Sequence, residues 1–217
     1  ALKNHRNGAS NQYAQRQKVR TLEEILTEPI SGAMTRLQCC PVGEGAAAVV
    51  IASEEGIRRH NLDRSRAIRV VASVTRTEGL YDEGVGIDAA LTAQTGAAAF
   101  NEAGIEPSDI DVLEVHDAFA IEELLYAEAL GLCAPGEAAA LVESGEFDIG
   151  GRCALSPSGG LLAMGHPIGP TGTGQIAEVV RQLRDEAGSR QQPNARTGLA
   201  HMVGIGAVCV VHVLRKD

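Results

Sequence analysis

A layered α/β sheet is the fold class this chain predicts, and three observations predict it. Short apolar segments of strand length alternate with periodic segments of helix length. Glycine is abundant, at 25 of 217 residues. Aromatic residues amount to only 3%, with no tryptophan. A core so poor in rings has to be built from Ala, Val, Ile and Leu in close contact, with glycines letting backbones approach.

The elements follow in chain order. Residues 1–40 are polar and irregular apart from a helical stretch at Thr21–Leu26, where T-L-E-E resembles a capping box. The run GEGAAAVVIAS (43–53) reads as a buried strand, 54–60 as a short helix and AIRVVASV (67–74) as a second strand. Residues 87–103 form a helix stopped by Gly104, and 111–115 a short apolar strand running into His116-Asp117-Ala118-Phe119. A helix over 120–130 ends at Gly131. Residues 156–174 are a glycine-rich loop without amphipathic period, feeding a helix over 175–187. After a turn at 191–197 come two strands, 199–203 and 207–214. An apolar strand such as 46–51 needs neighbours on both sides, so a missing N-terminal segment or a partner chain is expected to supply them.

Composition excludes several function classes. The 19 Lys and Arg against 28 Asp and Glu give a net charge of −9, which argues against a surface that coats nucleic acid. No apolar run has the length of a membrane span, and the first twenty residues contain no signal-peptide core. The five cysteines, Cys39, Cys40, Cys133, Cys153 and Cys209, include no C-x-x-C pair. They fit reduced thiols in a cytoplasmic setting better than a disulfide frame or a zinc site, and no metal is expected.

Three motifs bear chemistry. Gly165-His166-Pro167 lies in the glycine-rich loop ahead of a helix. Pro167 biases His166 to an extended backbone, and a histidine held there is a candidate general base or a turn residue bonded to its own loop. His116-Asp117 stands at the C-terminal end of a strand, the edge where open α/β sheets bind ligands. The competing reading has Asp117 capping the next helix, His116 half-buried and Phe119 in the core. The segment 169–174 before a helix is either a phosphate cradle or simply a tightly packed loop. Glu122-Glu123 and Asp109–Asp111 read as solvated surface.

Taken together these residues resemble the C-terminal half of a thiolase. The resemblance rests on His116-Asp-Ala-Phe119, on Gly159-Gly-Leu-Leu-Ala-Met-Gly-His-Pro-Ile-Gly-Pro-Thr-Gly172 and on Gly198-Leu-Ala-His-Met-Val-Gly-Ile-Gly206, with KNHRNGASNQYAQ (3–15) and CCPVGEGAAAVVIAS (39–53) upstream. It covers nearly the whole chain, and His-Asp in the turn is similar to the archaeal-type and sterol-carrier-type branch. The resemblance implies a layered α-β-α fold with a mixed five-stranded sheet. Residues 1–75 would be the loop region and last strands of an incomplete N-terminal half, and 76–217 the C-terminal domain.

The implied activity is Claisen condensation or thiolytic cleavage of 3-oxoacyl-CoA. Its substrates would be coenzyme A thioesters and CoA, with no covalently bound cofactor. By resemblance, His166 activates a cysteine of the absent half and helps organise an oxyanion site, while His116 holds the thioester oxygen directly or through water. Backbone N–H groups at Ile205 and Gly206 would form a second oxyanion hole, and Phe119, Met164 and Gly165 would contact substrate. Two departures stand out. Val203 and Ala118 occupy positions where relatives carry the proton-shuttle cysteine, and neither Cys39 nor Cys40 has the setting of the nucleophile. The chain alone is therefore expected to be inactive. The alternatives are a thiolase-like aldolase cleaving steroid side-chain CoA esters with a partner, and a non-catalytic acyl-CoA-binding or scaffolding subunit. A homo-oligomer and a small zinc-ribbon/OB-fold partner are further expectations.

Overall fold

The computed structural model describes residues 1–79, 86–204 and 208–217. In chain order the elements are α1 (Leu2–Ala9), α2 (Leu22–Leu26), β1 (Pro29–Ser31), β2 (Met34–Thr35), α3 (Glu54–Arg59), β3 (Arg69–Thr77) and α4 (Ile87–Ala103). There follow β4 (Val112–Glu114), α5 (Ala120–Ala129), α6 (Ala138–Ser144), β5 (Ala154–Leu155), α7 (Gly160–Ala163), α8 (Thr171–Leu183), β6 (Thr197–Gly204) and β7 (Val208–Arg215).

Five strands form one mixed sheet in the order β3-β7-β6-β4-β5. β7 runs antiparallel to both β3 and β6, while β4 is parallel to both β6 and β5. Period-two alternation sorts the side chains of β6 and β7 onto two faces. Leu199, Val203, Cys209, Val211 and Val213 join α4 and α5 in one apolar cluster. Ala200 and Leu214 join Val179 and Leu183 of α8 in the other. The result is a helix layer on each side of the sheet, which is the expected α-β-α layering. Gly198 allows the close approach of α8, since a Cβ there would lie 2.4 Å from Val179 Cγ1.

α4 begins and ends where the sequence predicts, because Gly104 adopts the left-handed conformation at φ 66° that terminates a helix. α2 is closed by a true capping box between Thr21 and Glu24. Other expectations are corrected. The run 43–53 is not a strand; it is irregular, largely exposed chain, with Val50 at 91% and Ile51 at 84%. Its residues favour a strand, but among the described residues no neighbour pairs with it, and unpaired backbone stays in water. The strand read at 67–74 does find a neighbour, β7, which draws β3 into the C-terminal sheet. Residues 1–40 hold an additional helix, α1, and the glycine-rich loop contains α7. α8 starts at Thr171 rather than 175 and ends at Leu183 rather than 187. Pro170 as its N-cap, and the placement of Thr171 and Gln175 in the interior, outweigh the low helix propensity of Gly172 and Gly174.

No helix among the described residues is long and apolar enough to cross a membrane. All five cysteines are free thiols.

Candidate active site

β4 stops at Glu114, and the chain turns sharply through 115–117, with the Asp117 N–H donating to the Val115 carbonyl at 3.0 Å. That turn and the Gly165-His166-Pro167 loop converge. The rings of His116 and His166 meet edge to face with centroids 5.0 Å apart, and both are half-buried. Sequence reasoning singled out both histidines, and the fold brings them together.

Each ring is held by a second contact. His116 Nδ1 lies 2.7 Å from Met202 Sδ. A thioether sulfur only accepts, so Nδ1 carries the proton and Nε2 keeps its lone pair. His166 Nδ1 lies 2.9 Å from Thr171 Oγ1, the first residue of α8. Burial lowers the pKa of both rings, that of His116 to about 4 with a further contribution from His166. At neutral pH both are uncharged. Behind them His201 is fully buried against Tyr126, with ring centroids 4.8 Å apart, and burial pushes its pKa down to about 3.

The scaffold under the turn is charged, which composition did not reveal. Asp117 does not cap α5. Its Oδ1 accepts from the Leu161 N–H at 2.7 Å and its Oδ2 from Asn4 Nδ2 at 2.6 Å. The cap of α5 is instead Glu122, which accepts the Phe119 N–H at 3.0 Å. Glu123 is not solvated surface; it is 3% exposed, pairs with Lys3 Nζ at 2.6 Å and accepts from Asn4. Spacing hides this network because Asn4 reaches its partners across more than a hundred residues. Burial, reinforced by Glu123, raises the Asp117 pKa well above the usual carboxylate range. Phe119 is also corrected: it is 42% exposed rather than core, because the turn points it outward.

Gly165 has φ +113°, and a Cβ would lie 2.9 Å from the Gln15 side chain, so the loop needs glycine there. Met164 is half-buried and its carbonyl accepts the Gln15 N–H. Cys40 N–H donates to the Ala118 carbonyl at 2.8 Å and Cys39 bridges Phe119, so both cysteines border the His116 turn by their backbones. Burial raises both thiol pKa values, which is the wrong direction for a nucleophile. Val203 and Cys209 face each other in register inside the core. Ile205 and Gly206 lie outside the described residues. On the α8 side, Gly172, Gln175, Met202, Val210 and His212 line a cleft of about 260 Å³ that abuts His116 through Met202.

Gly159 supplies one prediction. Its φ is +101°, and a Cβ would fall 2.7 Å from Gly8 Cα and 2.8 Å from Gly8 N, both backbone. Gly159→Ala is expected to destabilise by about 2–4 kcal/mol, read from the denaturant midpoint, through strain plus overpacking. An unchanged midpoint would mean that α1 does not press on this loop.

Residues 85–216 match the family described as thiolase C-terminal domain-like. The chain belongs to that family. It is 42% identical over 221 residues to sterol carrier protein 2 of Rattus norvegicus, covering 98% of this chain and 40% of that protein. It is 38% identical over 208 residues to benzoylsuccinyl-CoA thiolase subunit BbsB of Thauera aromatica (94% and 54% covered). Acetyl-CoA acetyltransferase of Methanothermobacter thermautotrophicus is 37% identical over 217 residues (98% and 56%). Among solved structures, the Ltp2-ChsH2(DUF35) aldolase superposes with a TM-score of 0.78 at 23% identity, covering 100% of this chain and 56% of that one, a likeness of fold. This thiolase-like chain thus spans about half the length, or less, of the relatives it matches.

Proposed function

We propose that this chain carries the histidine half of a thiolase-type acyl-CoA acyltransferase site, with the nucleophilic cysteine on sequence N-terminal to it. The observation that supports this most is the His116–His166 pair, uncharged and held edge to face at the strand end. In the thiolytic direction, a cysteine thiolate attacks C3 of a 3-oxoacyl-CoA. The C2–C3 bond breaks, and its electron pair leaves as the acetyl-CoA enolate, which takes up a proton. The acyl group then passes from cysteine to the sulfur of CoA. His166 takes the cysteine proton at Nε2 while Nδ1–H is anchored on Thr171. His116 presents an unprotonated Nε2, so it acts on the thioester oxygen through a water rather than by direct donation. Substrates are therefore coenzyme A thioesters and CoA.

The experiment is a thiolysis assay on the complete protein, with acetoacetyl-CoA and CoA as substrates and acetyl-CoA counted as product. Turnover is expected. Binding of acetoacetyl-CoA without turnover would replace this reading with the acyl-CoA-binding subunit, which the valine at 203 and alanine at 118 favour.

A further inference from the structure

We infer that His201 is a positioning residue: its ring fixes the backbone of His116 where β4 leaves the sheet. The inference rests on the thiolase reading for its catalytic consequence, but its geometry stands independently. β4 and β6 pair as Val112↔Gly198, Leu113↔Leu199 and Glu114↔Ala200, and there the ladder ends. The next residue on β6 is His201. Its side chain takes over from the ladder, Nδ1 accepting the His116 N–H at 3.4 Å.

An imidazole that accepts at Nδ1 and is uncharged has its proton on Nε2. That nitrogen lies 2.9 Å from Thr92 Oγ1 on α4, which therefore accepts it. Tyr126 covers the ring from α5. The ring is thus fixed by three elements, and both of its nitrogens are used. The following residue, Met202, holds the His116 ring through its sulfur. Two consecutive residues of β6 consequently set the place of one candidate catalytic histidine, one through its backbone and one through its ring. An aliphatic residue at 201 would fill the core but leave a buried N–H without an acceptor.

The test uses the complete protein with three variants. His201→Leu removes the acceptor, His201→Gln keeps one in its amide oxygen, and Thr92→Val loosens the ring without touching His116. Amide hydrogen exchange of His116, Leu113 and Ala200 is followed by NMR, alongside kcat and KM for acetoacetyl-CoA thiolysis. In His201→Leu, His116 is expected to lose about tenfold protection relative to Leu113 and Ala200, with Thr92→Val intermediate. kcat is expected to fall about tenfold with KM within about twofold, and His201→Gln to restore most of both. Equal loss of protection at all three amides, or none, would overturn the inference by making His201 ordinary core. Absence of turnover in the unmodified protein would sink the thiolase reading alone, because the exchange measurement still decides what His201 does. If His201→Leu does not fold, Thr92→Val and His201→Gln decide.

Discussion

Replacing His166 with alanine in the complete protein is expected to lower kcat/KM for thiolysis by about 10²–10⁴-fold, the range for losing a general base. The unfolding midpoint should hardly move, because the ring is half-buried and, among the described residues, is held by a bond to Thr171 and an edge contact with His116. The pH profile sharpens the test. Burial holds the His166 pKa below its ordinary 6.5, so the ring is already a free base at neutral pH. Activity should therefore be level through neutrality and fall on the acid side, as protonation removes the acceptor. In the alanine variant that acid limb should disappear with the rate. A variant that keeps both rate and acid limb would place the base elsewhere, and His166 would then be the turn histidine of the competing reading. Thr171→Val is the graded control: it removes the anchor of Nδ1 while keeping the ring, so its loss should be smaller than that of alanine.

What the sequence made legible was whatever its local chemistry determines. Gly104 and the capping box at Thr21–Glu24 marked helix ends because a left-handed residue and a side-chain cap are local facts. The apolar runs 199–203 and 207–214 likewise marked the two strands β6 and β7. Local reading failed where burial decides. Thr171-Gly-Thr-Gly174 looks like loop by composition, yet it forms the first turn of α8 because Thr171 is buried and meets His166. The run 43–53 has strand composition, but a strand exists only where another backbone offers hydrogen bonds. Glu123 and Lys3 look like surface charges, and only the docking of α1 onto the 117–123 region turns them into a buried pair. The candidate site was half legible. Motif resemblance pointed to His116 and His166, whereas His201 gave no signal beyond being polar in an otherwise apolar strand.

The largest stability effect is expected at Arg190. The residue is 5% exposed, and its guanidinium pairs with Glu178, which is 1% exposed, beneath the loop that carries Ser158. Glu114 stands in the same cluster, accepting from Ser158 N–H at 2.9 Å and from its hydroxyl at 2.7 Å. Arg190→Met keeps the volume but leaves Glu178 without its close cation. Arg181, more than a third exposed and 3.8 Å away, is a poor substitute. Breaking a buried pair by removing one partner costs about 3–5 kcal/mol, measured here as a shift in the denaturant midpoint. Adding Glu178→Gln should recover most of that loss, since the amide still suits Gln182 and no charge remains. A single variant of unchanged stability would show that Glu178 does not depend on Arg190. The pH dependence carries an independent sign. Burial, with Glu178 nearby, raises the Glu114 pKa from 4.5 to about 8. The folded state then holds a proton that the unfolded chain has released, so this group's contribution to stability declines as pH rises from the unfolded value through about 8. Glu114→Gln keeps the acceptor for the Ser158 N–H, can donate its amide N–H to the Ser158 hydroxyl oxygen in place of the accepted bond, and cannot titrate, so it should remove that decline. This cluster lies two residues before His116 in the chain, so the same substitutions report whether the floor of the site is built on a neutral carboxyl and one ion pair.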